Sequence, residues 1–160
     1  MGCPVDQTIE RIRVLERDGE RETRRARLIE ELNRDLEWEY ASAIQYIQHA
    51  VTITGAQYDS LKRRLLTYSH DEMEHAVKLS DQINFLGGAP TTDVGMREIS
   101  HDSLDMIRQD LKAENNAIDR YKERITEAEA LREYGLRRIL EDILIKEEEH
   151  KRYFLTILGD

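Results

Sequence analysis

At 160 residues, 39% hydrophobic and 36% charged, the chain has the size of one domain and lacks an apolar run long enough to span a membrane. Its 33 Asp and Glu against 24 Lys and Arg give a formal charge of −9, which argues against nucleic acid as a partner and is compatible with cations. The single cysteine, Cys3, allows no internal disulfide, and no apolar signal segment opens the sequence, so we expect a cytoplasmic protein.

Apolar residues at helical spacing, with only 2 Pro and 8 Gly, predict an all-α fold. In chain order, a short extra helix is expected over residues 6–18 and is ended by Asp18-Gly19. It belongs to an N-terminal extension of residues 1–24. A four-helix bundle of residues 25–160 follows, with helices predicted over residues 25–54, 57–86, 102–130 and 133–158.

The connections between these helices predict the topology. Short connections make antiparallel hairpins of the first two helices and of the last two. The segment between the hairpins, residues 87–100, contains glycines, a proline and threonines and is predicted as a loop. A loop of about 14 residues reaches roughly 45 Å, close to the length of a helix of about 30 residues. It can cross the whole bundle, which predicts an up-down-down-up arrangement with one long crossover.

A repeated spacing of Glu and His is the most informative pattern. Two Glu-x-x-His pairs are each preceded by a lone Glu 33 residues earlier, and the second set is the first shifted by 75 residues. Positions i and i+3 share one face of a helix, so the two members of a pair can reach one metal ion. Six residues fill gaps in the core-facing apolar stripes, near the middle of each helix: Glu39, Glu72, His75, Glu114, Glu147 and His150.

These six residues form the ligand set of a two-metal site inside a four-helix bundle. Four buried carboxylates repel one another, and the stripes contain no Lys or Arg, whereas two divalent cations would neutralise them. The alternative is a chance set of satisfied polar residues in the core. Mixed carboxylate and imidazole ligands suit iron, manganese or zinc, with no thiolate to favour a structural zinc site. Iron is the first choice, because bridged metals can reduce oxygen or peroxide by two electrons.

Short stretches around these residues carry a family resemblance. They are Leu32-Asn33, Gln45-Tyr46-Ile47-Gln48-His49-Ala50, Asp71-Glu72-Met73-Glu74-His75-Ala76, Phe85-Leu86-Gly87-Gly88-Ala89-Pro90, Asp110-Leu111-Lys112-Ala113-Glu114 and Glu147-Glu148-Glu149-His150. Over about residues 29–158 the chain resembles a bacterioferritin, within the ferritin-like superfamily. The Glu-x-x-His pairs are typical of the superfamily, and the flanking residues favour bacterioferritin over rubrerythrin.

The resemblance implies a ferroxidase with two iron ions in each chain. Glu72 and Glu147 would bridge the metals. The terminal ligands would be Glu39 and His75 for one metal, and Glu114 and His150 for the other.

Two further residues have implied roles. Tyr46 would be a tyrosine that supports the ligands or forms a radical, and its alternative is an ordinary core aromatic. Met73 matches the methionine that holds haem between two bacterioferritin subunits. Its alternative is an apolar residue at a dimer interface without haem.

The chain also departs from the bacterioferritin pattern. It stops soon after the fourth helix, adds about 25 residues before the first, and has Thr67 where the family often carries His. The first expected function is oxidation of Fe(II) with O2 or H2O2 for iron storage or detoxification, in a shell of twelve or twenty-four subunits. The alternative is a rubrerythrin-like dimeric oxidase or peroxidase without storage. The ligand pattern disfavours a metal-free structural bundle.

Self-association is expected because apolar residues lie off the core stripes of the first two helices. Together they could form a patch larger than a monomer normally exposes. An antiparallel homodimer through these two helices, around a two-fold axis, is the predicted minimum unit with or without a shell. The residues of this predicted patch are Trp38, Tyr40, Ile47, Val51 and Met73.

Overall fold

The computed structural model describes the backbone of residues 4–159 and the side chains of residues 17–159, so Cys3 lies outside the described residues. The chain forms four α-helices: α1 (Pro4–Thr52), α2 (Asp59–Phe85), α3 (Ser103–Ala130) and α4 (Tyr134–Leu158). A 3-10 turn, Ala56–Tyr58, precedes α2. The described chain has no β-strand, which confirms the all-α prediction. Among its helices, none combines the length and the apolar character that a membrane span needs.

The first helix corrects the expected N-terminal organisation. α1 runs without a break through Asp18 and Gly19, so the prediction of a separate helix over residues 6–18 is wrong. One glycine inside a helix costs only about 1 kcal/mol relative to alanine, and no proline or second glycine stands beside it. In addition, the hydroxyl of Thr23 donates to the carbonyl of Gly19 at 2.9 Å. The division of the chain between residues 24 and 25 stays a prediction.

Each helix of the bundle packs mainly against two others. α1 packs against α2 and α3, and α4 packs against α3 and α2, whereas across the diagonal α1 and α4 meet through side chains such as Tyr46 and Phe154. The segment between α2 and α3 runs along α1, where the N–H of Gly95 donates to the carbonyl of Glu37 at 2.9 Å. α3 then begins beside the end of α1, since the N–H of Thr54 donates to Oγ of Ser103 at 3.2 Å. The predicted bundle with a long crossover is confirmed.

Two helix ends show how local sequence limits the helices. Asp102 caps α3, because its carboxylate accepts from the N–H of Asp105 at 2.8 Å. At the turn between α3 and α4, Arg132 adopts a left-handed φ of 60°. The N–H of Glu133 there donates to the carbonyl of Ala128 at 2.9 Å, as in a Schellman ending. Glycine usually occupies this left-handed position, because other residues are strained in it.

Two apolar clusters fill the bundle and leave a polar layer between them. One cluster includes Leu32 and Leu140, and the other includes Tyr46 and Phe154; all four side chains are fully buried. On every helix the predicted ligand positions lie between residues of the two clusters. The polar layer is therefore shielded from water along the bundle axis in both directions.

Candidate metal centre

The structure brings the six predicted side chains together in this polar layer. Each exposes only 1–2% of its surface, although all six carry ionisable groups. Burial follows from the sequence, because each residue replaces an apolar one in the inward-facing stripe of its helix. α1 and α3 each contribute one Glu, and α2 and α4 each contribute one Glu and one His: Glu39, Glu114, Glu72 and His75, and Glu147 and His150.

The six side chains form two overlapping groups, each able to hold a metal ion. Within each group, one oxygen or nitrogen atom per residue lies within 4.8 Å of all the others. Glu72 and Glu147 belong to both groups and therefore stand between the two positions. Glu39 and His75 complete one group, and Glu114 and His150 complete the other.

His75 faces its group through Nδ1. That nitrogen lies 2.9 Å from an oxygen of Glu147, 3.2 Å from Glu39 and 3.3 Å from Glu72. Burial alone would lower the pKa of His75, but the three carboxylates raise it to about 12. Without a cation, the imidazole therefore holds a proton whose charge offsets part of the carboxylate charge.

His150 faces the other group in the same way and has one further partner. Its Nδ1 lies 3.1 Å from Glu72, 3.5 Å from Glu114 and 3.6 Å from Glu147. Burial would lower the pKa of His150, yet the adjacent carboxylates raise it well above its ordinary value. Its Nε2 lies 3.2 Å from an oxygen of Asp71 on α2. Such a carboxylate orients an imidazole, fixes its tautomer and leaves the other nitrogen for a metal.

Burial acts strongly on the carboxylates themselves. Burial, together with repulsion from Glu147, raises the pKa of Glu39 and that of Glu114 well above the ordinary value. Burial opposes the ionisation of Glu147 as well, but the adjacent His150 and His75 hold its pKa below the ordinary range. The layer therefore has to be neutralised by protons or by cations.

Atoms without a hydrogen bond show that cations fit this layer. Four buried ligand atoms have no well-aligned hydrogen bond in the described chain, even where an opposite charge is near. Buried polar atoms are rarely left in this state. The set combines carboxylate oxygens with imidazole nitrogen and suits iron, manganese or zinc. The atoms are Glu72 Oε1, Glu114 Oε2, Glu147 Oε1 and His150 Nδ1.

Two fully buried tyrosines each donate a hydrogen bond to a carboxylate that the two groups do not share. Tyr46 on α1 donates to Glu114 on α3, and Tyr121 on α3 donates to Glu39 on α1 at 2.5 Å. The family resemblance implies a role for Tyr46 at the site, whereas Tyr121 was not predicted there. The signal for Tyr121 was available, because the same 75-residue shift that relates the ligand sets also relates these two tyrosines.

A buried aspartate lies one helical turn before Glu39, and the sequence analysis did not identify it. Asp35 accepts from Nε of Arg120 at 3.1 Å, and Nε of Arg124 lies 3.2 Å from its other oxygen. Burial raises the pKa of Asp35 to about 6, against the effect of the two guanidinium groups. These contacts join α1 to α3 at one end of the metal layer.

An equivalent aspartate lies one turn before Glu114 and was also missed. Asp110 accepts from Nε2 of Gln45 at 2.9 Å, and Nδ1 of His49 lies 2.8 Å from the same oxygen. Burial raises the pKa of Asp110, although His49 acts in the opposite direction. The 75-residue shift maps Asp35 onto Asp110, so the repeat was again the available signal.

The predicted apolar patch lies outside the metal layer, and one of its five predicted members, Tyr40, is partly buried. Arg120 lies over the ring of Trp38, 5.4 Å from its centroid, and the crossover at Gly95 approaches the same ring. Tyr40 is half-buried and packs against the core, so it does not point outward as predicted. Four of the five members are exposed on α1 and α2, with Trp38 the least exposed: Trp38, Ile47, Val51 and Met73.

Comparisons with known proteins point to one family. The family described as "Ferritin-like domain" matches residues 29–160. A bacterioferritin of Desulfovibrio desulfuricans is 27% identical, covering 87% of this chain and 78% of that protein. A bacterioferritin of Streptomyces coelicolor is 31% identical, with coverage of 82% and 79%. A "Nutrient stress-induced DNA-binding protein" of Nostoc is 29% identical, with coverage of 71% and 68%. Among solved structures, a ferritin-like diiron-carboxylate protein from Bacillus anthracis superposes with a TM-score of 0.82 at 32% identity, covering 84% of this chain and 97% of that one.

Proposed function

Because this chain belongs to the ferritin-like superfamily, which includes the bacterioferritins, we propose that it is a ferroxidase that oxidises Fe(II) for iron storage or detoxification. The observation that carries the proposal is the pair of ligand groups that share Glu72 and Glu147. Two adjacent metal ions can each give one electron to the same oxidant, and shared carboxylates hold them at a short separation.

Fe(II) is the substrate of the proposed reaction. With O2, two Fe(II) and two protons give two Fe(III) and H2O2. With H2O2, two Fe(II) and two protons give two Fe(III) and two water molecules. In both cases each iron loses one electron, so the reaction needs both positions filled.

The residues of the chain bind the substrate and move protons. Glu72 and Glu147 are the proposed bridges, and the remaining Glu and His of each group are the terminal ligands. The raised pKa values of Glu39 and Glu114 mean that these carboxyls hold protons until a cation displaces them. Tyr46 binds one oxygen of Glu114 and leaves its second oxygen for the metal position.

Metal binding and oxidation test the proposal together. The metal-free chain should bind two Fe(II) without oxygen, and mixing with O2 should then oxidise both ions rapidly, which stopped-flow absorbance follows. Glu72→Ala or Glu147→Ala removes a bridge and should abolish the rapid phase, while circular dichroism still shows folded helices. Glu74→Ala, an exposed neighbour on α2, is the matched control and should oxidise Fe(II) like wild type. Saturation at one ion, or rapid oxidation in both bridge variants, would contradict the assignment.

The proposed assembly is a homodimer through the outer faces of α1 and α2. Val51 is 72% exposed one turn after the exposed Ile47 on α1, and Val77 is 67% exposed one turn after the exposed Met73 on α2. Exposed apolar residues grouped on two adjacent helices favour an interface. Haem, if it binds, would lie between the two copies of Met73, and its visible absorption would report it.

Sedimentation at micromolar concentration tests this assembly. The 18.8 kDa chain should sediment as a dimer or as a larger shell built from dimers. Ile47→Glu or Val51→Glu should dissociate the dimer, because each places a charge in the apolar contact. Ile145→Glu changes an apolar residue that is half exposed on α4 and should leave the dimer intact. A wild-type monomer would refute the interface.

A further inference from the structure

The two halves of the metal layer carry the same ligands in different surroundings. A shift of 75 residues converts the ligand contacts of one half, and the tyrosine contacts described above, into those of the other. This correspondence fails for the residues expected next to Nε2 of the two histidines. Nε2 of His150 meets Asp71, but the residue that corresponds to Asp71 by the same shift is Lys146. The position that corresponds to the Asp71 carboxylate therefore carries an amine, which cannot accept a hydrogen bond from His75.

This replacement changes how the two imidazoles are supported. Asp71 accepts a hydrogen bond from His150, so its negative charge increases the basicity of the imidazole. His75 makes its hydrogen bond through Nδ1, and no side chain of the described chain hydrogen-bonds to its Nε2. Lys146 carries a positive charge, which is paired with Glu149 at 2.8 Å. His75 thus lacks the partner that strengthens His150 as a ligand.

A second difference between the halves also disfavours a cation in the half that contains Glu39. Asp35, one turn before Glu39, lies against two guanidinium groups, whereas Asp110, one turn before Glu114, lies against a neutral amide and an imidazole. Positive charge therefore lies closer to the half that contains Glu39. Acidic side chains around Arg124 offset part of this positive charge: Glu31, Glu123 and Glu127.

We propose that the two metal positions are unequal, and that the position bounded by Glu114 and His150 binds a divalent cation more tightly and fills first. The position bounded by Glu39 and His75 fills second. The inference rests on the proposed two-metal function and adds an order of filling to it. Since partners behind a ligand typically change metal affinity by about 10–100-fold, we expect the two dissociation constants to differ by about tenfold or more. The weaker position then sets the Fe(II) concentration at which oxidation begins.

Anaerobic titration of the metal-free chain with Co(II) tests the order without any turnover. Calorimetry and the visible absorption of bound Co(II) should show two steps of one ion each. Crystals grown with one equivalent of Co(II) should give an anomalous peak beside His150. Two steps of equal affinity, joint binding in one cooperative step, or a first peak beside His75 would overturn the inference and leave the ferroxidase proposal intact. Binding of fewer than two ions would contradict the ferroxidase proposal itself.

Two variants test the cause of the inequality. Asp71→Asn should weaken the tighter step by about tenfold or more and change the weaker step by less than about threefold. Lys146→Asp places a carboxylate at the matching position of the other half and should tighten the weaker step, so that the two steps converge. Lys122→Asp makes the same charge change on an exposed part of α3 and should leave the ratio of the two affinities unchanged. Equal weakening of both steps by Asp71→Asn, or an unchanged ratio in Lys146→Asp, would overturn the assigned cause.

Discussion

Asp35 is buried between two cations and still resists ionisation, which makes the stability of the chain depend on pH. Its pKa is raised from an ordinary 3.8 to about 6, because the cost of burial exceeds the attraction of Arg120 and Arg124. The folded state therefore binds this proton more tightly than the unfolded state does. At about 1.4 kcal/mol for each tenfold difference in proton affinity, the effect is about 3 kcal/mol. This stabilisation is fully present below the unfolded pKa and is lost as the pH rises through the folded one.

Asp35→Asn removes the titration and keeps the shape of the side chain. Urea unfolding of the metal-free chain, followed by circular dichroism in a chelating buffer, gives the free energy of unfolding at each pH. Between about pH 4 and about pH 7, the stability of wild type relative to Asp35→Asn should fall by about 2.5 kcal/mol, because a small part of the effect is already lost at pH 4. Asp81→Asn, an exposed position on α2, controls for the loss of a carboxylate from the surface. A relative stability that stays constant would show that the guanidinium groups balance burial, and one that rises with pH would show that they outweigh it; either result would refute the raised pKa of Asp35.

Two other predictions concern the scaffold. Arg132→Gly should raise the free energy of unfolding by about 1 kcal/mol, because glycine adopts the left-handed φ of 60° without strain, and a thermal melt with no increase would contradict this. Leu140→Ala should lower the free energy of unfolding by about 2–5 kcal/mol, because it removes buried apolar surface and leaves a cavity beside the metal layer. Leu104→Ala, at a position that is 42% exposed, should cost much less. Similar losses in the two variants would refute the packing argument.

The four helices were predictable because their signal is local. Apolar residues recur every three or four positions, and the predicted bounds of the bundle helices lie within a few residues of the observed ones, except at the start of α1. The metal layer was predictable for the same reason, since Glu72 and His75 share the phase of the buried stripe. The continuity of α1 through Gly19 was not predictable by local rules. It depends on whether one glycine costs more than its helical neighbours contribute.

The outer faces were harder to predict, because they depend on segments that are distant in the sequence. Helical phase places Trp38 off the core stripe of α1, and 39% of its surface is indeed exposed. The phase gives no information about the crossover, which brings Gly95 to the same ring, or about Arg120 on α3. Tyr40 was assigned to the outer face for the same reason and is instead half-buried. A periodic pattern identifies the side of a helix but not the segment that covers it.

The contacts between α1 and α3 could have been predicted from the repeat itself. If the halves pack as an approximate two-fold pair, a contact between a residue of the first half and one of the second must recur with the two roles exchanged. Tyr46 with Glu114 then requires Tyr121 with Glu39, as the structure shows. The same exchange turns the contacts of Asp110 into those of Asp35, although the donors changed from amide and imidazole to guanidinium groups.

The two halves differ at positions where residues related by the 75-residue shift do not make equivalent contacts. A matching pair is explained by the shared scaffold, because either half needs it to hold its ligands. Asp71 and Lys146 do not match, and neither contributes to the apolar core, so packing does not account for the difference. Asp71 hydrogen-bonds to His150, whereas Lys146 pairs with Glu149 and gives His75 no such partner. Unequal positions therefore follow from the same repeat that predicted the ligands, once the comparison extends to the residues behind them.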